Sequence, residues 1–109
     1  MSKPTDLVQG TLDLLILKTV ALEPNHGWAI AQRIRQMSNE VLQVGESALY
    51  PALHKLEQRG LIEAEWKRSE NNRRAKYYSL TGAGRNALDK ETRQWERLSA
   101  AISLVVGTV

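Results

Sequence analysis

The chain contains no cysteine, which excludes a disulfide framework and a thiolate metal site. Its two histidines, His26 and His54, have no ligand spacing to each other or to a carboxylate cluster, so neither metal nor cofactor is expected. Long apolar runs are also missing. The longest, Leu14–Leu17, falls far short of the roughly 20 residues that span a bilayer, so no membrane partner is expected. Residues 1–10 lack the charged-then-apolar pattern of a leader, and a cytoplasmic location is the default expectation. No nucleophile stands beside a base motif, and Gly82-Ala83-Gly84 lacks the buried strand and third glycine of a dinucleotide site. An enzyme is therefore not expected.

What is present is a chain of 109 residues, enough for one modest core, at a size where a partner subunit commonly helps. Leu49, Leu53, Leu56 and Leu61 recur at helical spacing and leave Ser47, Tyr50, His54, Lys55, Gln58 and Arg59 on other faces. Ser47 is the expected N-cap, and Gly60 suits the left-handed turn that ends a helix. Pro51 cannot donate an amide hydrogen, so Ser47 to Tyr50 is read as a tight first turn, with regular bonding starting after Pro51.

Residues 61–66 follow with Ile62, Ala64 and Trp66 on one side and two glutamates on the other, the alternation of a half-buried strand. Residues 75–80 form a second strand, and the polar stretch between them turns at Ser69 to Asn72. A helix, a glycine turn and a basic hairpin in that order make a winged helix-turn-helix, with a reading helix and a wing. Charge supports this. Residues 54–76 hold seven basic and four acidic residues, a surplus of three that equals the net charge of the whole chain, +3. The positive charge lies where phosphates would be met.

Upstream, Thr11 is the expected cap of a helix over 12–22 that is apolar on two faces and hence sandwiched. Gly27 opens a second helix, with Ile30, Ile34 and Met37 as its stripe. Residues 38–46 form the turn before the reading helix and hold Val41, Leu42 and Val44 as anchors or as a very short edge strand. Thr81 caps the last helix, in which Leu88, Trp95 and Ile102 are spaced by seven, as are Leu98 and Val105. Glu91 breaks that seam. The reading is mostly α with a small β-hairpin. Residues 1–80 form the winged helix-turn-helix and 81–109 a dimerisation helix.

Four blocks then carry a resemblance: Gly10-Thr11-Leu12-Asp13-Leu14-Leu15-Ile16-Leu17, His26-Gly27-Trp28-Ala29-Ile30, residues 48–57 around Tyr50-Pro51, and residues 73–84 from Arg73-Arg74 to Gly84. In order and spacing, over about residues 8 to 98, they resemble the PadR family of bacterial transcriptional regulators. The resemblance implies a winged helix-turn-helix homodimer on a palindromic operator in double-stranded DNA, usually a repressor relieved by a small molecule. It also resembles the short subgroup that dimerises through one C-terminal helix. Trp28 departs from the tyrosine usual there, and Glu46-Ser47-Ala48 stands where a small residue and threonine are commoner.

Expected DNA contacts are Ser47, Tyr50, His54 and Lys55 on the reading helix and Lys67, Arg68, Arg73, Arg74 and Lys76 on the wing. Expected at the dimer interface are Leu12, Leu15, Leu88, Trp95, Leu98, Ile102 and Val105. Trp95 has two readings, an interface packing residue or a platform for a small planar aromatic effector. Trp28 and Trp66 are expected to be packing residues, and His26 to bond at a helix start. The rival to a DNA-binding regulator is a winged-helix module that binds protein.

Overall fold

A computed structural model describes residues 4–109, with side chains from residue 11 onward; the residue 1–10 side chains fall outside the described part. Residues 11–22 are apolar on more than one side, and this segment forms the central helix. Helix α1, Pro4–Leu22, buries Leu12, Ile16, Leu17 and Val20 and half-buries Leu14, Leu15 and Ala21. Thr11 is therefore interior to the helix and not its cap. Proline at the first helical position, where an amide hydrogen would have no partner, lets the helix start eight residues earlier than expected.

After α1 come β1 (Asn25–His26), α2 (Gly27–Met37), α3 (Glu46–Gln58), β2 (Ile62–Arg68), β3 (Arg74–Leu80) and α4 (Gly82–Val106). The sheet order is β1-β3-β2, antiparallel throughout. The hairpin appears where the alternation places it, with its turn closed by Ser69 N–H to Arg73 C=O at 2.7 Å and Asn72 N–H to Ser69 C=O at 2.9 Å. Strand β1 is an addition to the expected pair. Residues 38–46 form no strand; Leu42 and Val44 pack on the core while Val41 is exposed. Met37, expected in the α2 stripe, is also exposed, since Ile30 and Ile34 alone reach the core.

Local capping rules are well obeyed. His26 caps α2, its Nδ1 accepting from Ala29 N–H at 3.4 Å. Thr81 caps α4, its hydroxyl oxygen accepting from Gly84 N–H at 3.0 Å and its O–H donating to Gly60 C=O at 2.6 Å. Gly60 has φ +74°, and α3 closes with Leu61 N–H on Leu56 C=O and Gly60 N–H on Glu57 C=O, both at 3.0 Å.

The start of α3 differs from expectation. Its N-cap is Gly45, with extended backbone and no side-chain bond, and Ala48 and Leu49 N–H both donate to Gly45 C=O. Ser47 sits inside the first turn, and Pro51 lies within the helix. A proline there removes only the bond to the Ser47 carbonyl, near the helix start.

Helix α4 meets the core at its first turns. A Cβ on Gly84 would overlap the Leu61 carbonyl oxygen, and Leu88 is buried beneath α1. Because the clash is with backbone, Gly84→Ala is expected to destabilise the fold by about 1–3 kcal/mol, as overpacked sites do. A thermal or urea melt measures it.

Glu91 lies one turn further on. Burial pushes its carboxyl above the usual carboxylate range, Asp13 on α1 adds to that, and Arg59 and Lys90 oppose it. A carboxyl raised in the folded state stabilises fully below its unfolded pKa and loses that contribution as pH rises through the folded value. Glu91→Gln is thus expected to melt higher than the natural chain at pH 7. The difference should close below the ordinary glutamate range, and a melt series across pH checks both points.

Candidate nucleic-acid interface

The leucines of α3 fix what the opposite side can present. With Leu49, Leu53 and Leu56 fully inside, Ser47, Tyr50, Pro51, His54, Lys55 and Gln58 form one exposed face. Ser47, Pro51 and Lys55, four residues apart in turn, run along the flank toward α1 and line a shallow crevice with Leu12 and Asp13. Tyr50 lies on the other flank. A Cβ on Gly27 would stand 2.9 Å from the Tyr50 Cε1 and 3.4 Å from Leu53 Cδ1, so the bare backbone of α2 makes the bed on which the Tyr50 ring rests. Half of that ring remains exposed. His54 lies between these two flanks.

The wing adjoins the Tyr50 side. Cross-strand pairs Ile62 with Leu80, Ala64 with Tyr78, Trp66 with Lys76 and Arg68 with Arg74 share one sheet face. Near α4 this face covers the core, through Ile62 and Tyr78. Toward the tip it has no core beneath it. Lys76 donates from Nζ to Glu57 Oε1 at 3.0 Å, tying the wing to the reading helix. That hydrogen bond raises the Lys76 pKa above its ordinary value. Lys76, expected as a DNA contact, is engaged within the chain and acts as a strut.

The other wing cations are differently placed. Arg68 donates to Asn72 Oδ1 at 2.7 Å across the turn. Lys67 lies 5.8 Å from the Tyr77 ring centre and 3.9 Å from Glu65. Arg74 stands over Trp66, 5.3 Å from its ring centre. Among the described residues, Arg73 alone of these cations has no side-chain hydrogen bond, ion pair or ring contact.

Two tryptophans correct the sequence reading. Trp28 is 61% exposed and Trp66 58%, so neither is a packing residue. Trp28 falls outside the Ile30 and Ile34 stripe and stacks on His26, with ring centres 6.4 Å apart. Trp66 has the period of the buried strand face but lies beyond the end of the core.

The opposite end of the molecule carries a second surface. The α4 seam begins inside the fold at Leu88 and emerges through half-buried Glu91 to Trp95, Leu98, Ile102 and Val105, all exposed. Leu12 and Leu88, expected at a subunit interface, are 1% and 6% exposed and have no surface left to offer. Leu15 is half-buried. Trp95 stands on a ridge between two crevices against α1. The larger is an open groove of about 880 Å³ whose lining includes Leu14, Leu15, Lys18, Leu88 and Arg93. The smaller runs past Asp13, Glu91 and Leu98.

Among the described residues no helix is long and apolar enough to cross a membrane, and no group of His, Cys, Asp and Glu is arranged to hold a metal ion.

Known proteins share this arrangement. A transcriptional regulator of Mycobacterium tuberculosis is 35% identical over 89 residues, 82% of this chain and 79% of that protein. The structure of a transcriptional regulator from Clostridium thermocellum superposes with a TM-score of 0.81 at 28% identity, covering 90% of this chain and 95% of that one. A PadR-like transcription factor from Bacteroides fragilis gives 0.73 at 29% identity, covering 93% and 95%. Residues 16–90 match the transcriptional regulator PadR-like family. With that family matched over most of the chain and these relatives beside it, the chain belongs to the PadR-like family of DNA-binding transcriptional regulators.

Proposed function

We propose that the chain is a cytoplasmic repressor that binds a palindromic operator as a homodimer, with residues 1–80 reading DNA and residues 81–109 joining the two copies. One observation carries this reading. The exposed face of α3 lies beside a basic wing that is tied to it by the Lys76–Glu57 ion pair. A helix face of that kind enters a major groove, where Tyr50, His54 and Ser47 meet base edges while Arg73 and Arg74 meet phosphates. Dimerisation through Trp95, Leu98, Ile102 and Val105 follows from an apolar stripe that the single chain leaves in water.

A second reading concerns Trp95 and release of the repressor. The groove beside it is apolar along Leu14, Leu15 and Leu88 and carries Lys18, Arg85 and Arg93, which suits a small planar aromatic effector stacked on the indole. Quenching of Trp95 fluorescence by such compounds, with loss of DNA binding in parallel, supports the effector. Tryptophan quenching that persists undiminished in Trp95→Phe, from Trp28 and Trp66 alone, removes it.

The direct test of DNA reading compares operator and random duplex for alanine variants of Ser47, Tyr50 and His54. A side chain that reads a base loses roughly 1–3 kcal/mol of discrimination. Variants that still recognise the operator fully would remove these side chains as base readers, and a natural chain that does not distinguish any duplex from random DNA would favour the rival reading, a winged-helix module that binds protein.

A further inference from the structure

Trp66 is a large apolar side chain left mostly in water on the face of the wing nearest the reading helix, and neither the core nor the α4 surface uses it. Its ring is occupied by one group, the Arg74 guanidinium, 5.3 Å from the ring centre. Arg74 stands on the neighbouring strand at the next pair of the same face, since Trp66 pairs with Lys76 and Arg68 with Arg74. Lys76 is bound to Glu57 on α3, so the shared face that carries the Trp66–Arg74 cation–π pair is tied to the reading helix.

We propose that Trp66 is a DNA-positioning residue, holding the Arg74 guanidinium in place on the reading-helix side of the wing before DNA arrives. The inference rests on the DNA-binding reading above. A guanidinium stacked on an indole keeps its edge N–H groups free for phosphate oxygens, because the stack uses only its flat face. A free arginine gives up its rotamer freedom on binding, and a stacked one has already given up much of it. The contrast with Arg73, which has no such support, makes Arg74 the pre-set contact and Arg73 the adaptable one. Lysine at position 74 would keep the charge and lose the planar stack.

The experiment has two arms, on Trp66→Ala, Trp66→Phe, Arg74→Ala and the Trp66→Ala/Arg74→Ala pair. In the free protein, NMR should show the Arg74 side-chain protons shifted upfield by the ring, an effect lost in Trp66→Ala and partly kept in Trp66→Phe. Absence of the shift in the natural chain overturns the stack. On an operator duplex, Trp66→Ala should bind about two- to fivefold more weakly, the size of an exposed cation–π contact. Trp66→Phe should stay within about twofold, and Trp66→Ala should add nothing once Arg74 is already alanine. Melting temperature should not change, since an exposed ring supports little of the fold. Unchanged affinity in Trp66→Ala, or losses that multiply independently in the pair, overturn the positioning role. If the natural chain shows the ring shift yet binds no duplex at all, the DNA-binding reading has failed, and the positioning role fails with it while the stack itself stands.

Discussion

Replacing Leu98 and Ile102 together by glutamate is expected to yield a folded monomer that has lost operator binding by at least a hundredfold. Both side chains are more than half exposed in the single chain, at 59% and 52%, so charging them costs the fold itself little. In the proposed dimer the half of each side chain still in water would be buried, contributing about 1–1.5 kcal/mol each, and a glutamate in its place would also have to be desolvated. Two reading helices enter successive major grooves on one DNA face only if held about 34–36 Å apart. A monomer loses that link, and bivalent attachment commonly contributes a factor of about 10²–10⁴. Sedimentation gives the mass and a thermal melt shows that the fold persists. A tight dimer in this variant would place the interface elsewhere.

The second large effect belongs to the wing. Arg73→Ala together with Arg74→Ala is expected to weaken binding to operator and random duplex alike. Phosphate contacts carry affinity without sequence, and each one lost lowers the slope of log affinity against log salt by about 0.9, hence by about 1.8 for each wing. Titrations at several salt concentrations separate this from lost base reading. The reading-helix variants should instead lower discrimination at nearly constant slope. An unchanged slope in the arginine variant would remove the wing from the interface.

How much of this could be read in the sequence depends on whether the deciding interaction is local. The caps at His26 and Thr81 and the left-handed turn at Gly60 were legible because each is settled within a few residues. So was the hairpin turn, where Ser69 and Asn72 bond each other. Strand β1 was not legible. Two residues carry no period, and Asn25 and His26 become a strand only by pairing with Tyr78 and Tyr77 of β3. The strut between Lys76 and Glu57 joins residues 19 apart, and nothing in either neighbourhood announces it.

Periodicity identified faces correctly but could not say where the core stops. Trp66 follows Ile62 and Ala64 in step, yet two residues past Ala64 the neighbouring layer has ended. The α4 seam posed the reverse difficulty. Leu88 and Ile102 have the same heptad spacing, but Leu88 is covered by its own chain and Ile102 is not. At the α3 start, a serine with good capping chemistry outweighed a glycine two residues earlier, although extended backbone at Gly45 is all that an N-cap requires. Gly27 had a signal that could have been used: a glycine opening a helix beside a tyrosine-bearing helix marks a close approach, and Tyr50 fills it.

Selection of bound duplexes from a random library with the purified natural chain tests the central claim most directly. A dimeric regulator should enrich an inverted repeat with half-site centres one helical turn apart, about 10 base pairs, with two chains on each duplex. Recovery of no enriched sequence, or of an isolated half-site bound by one chain, would contradict it.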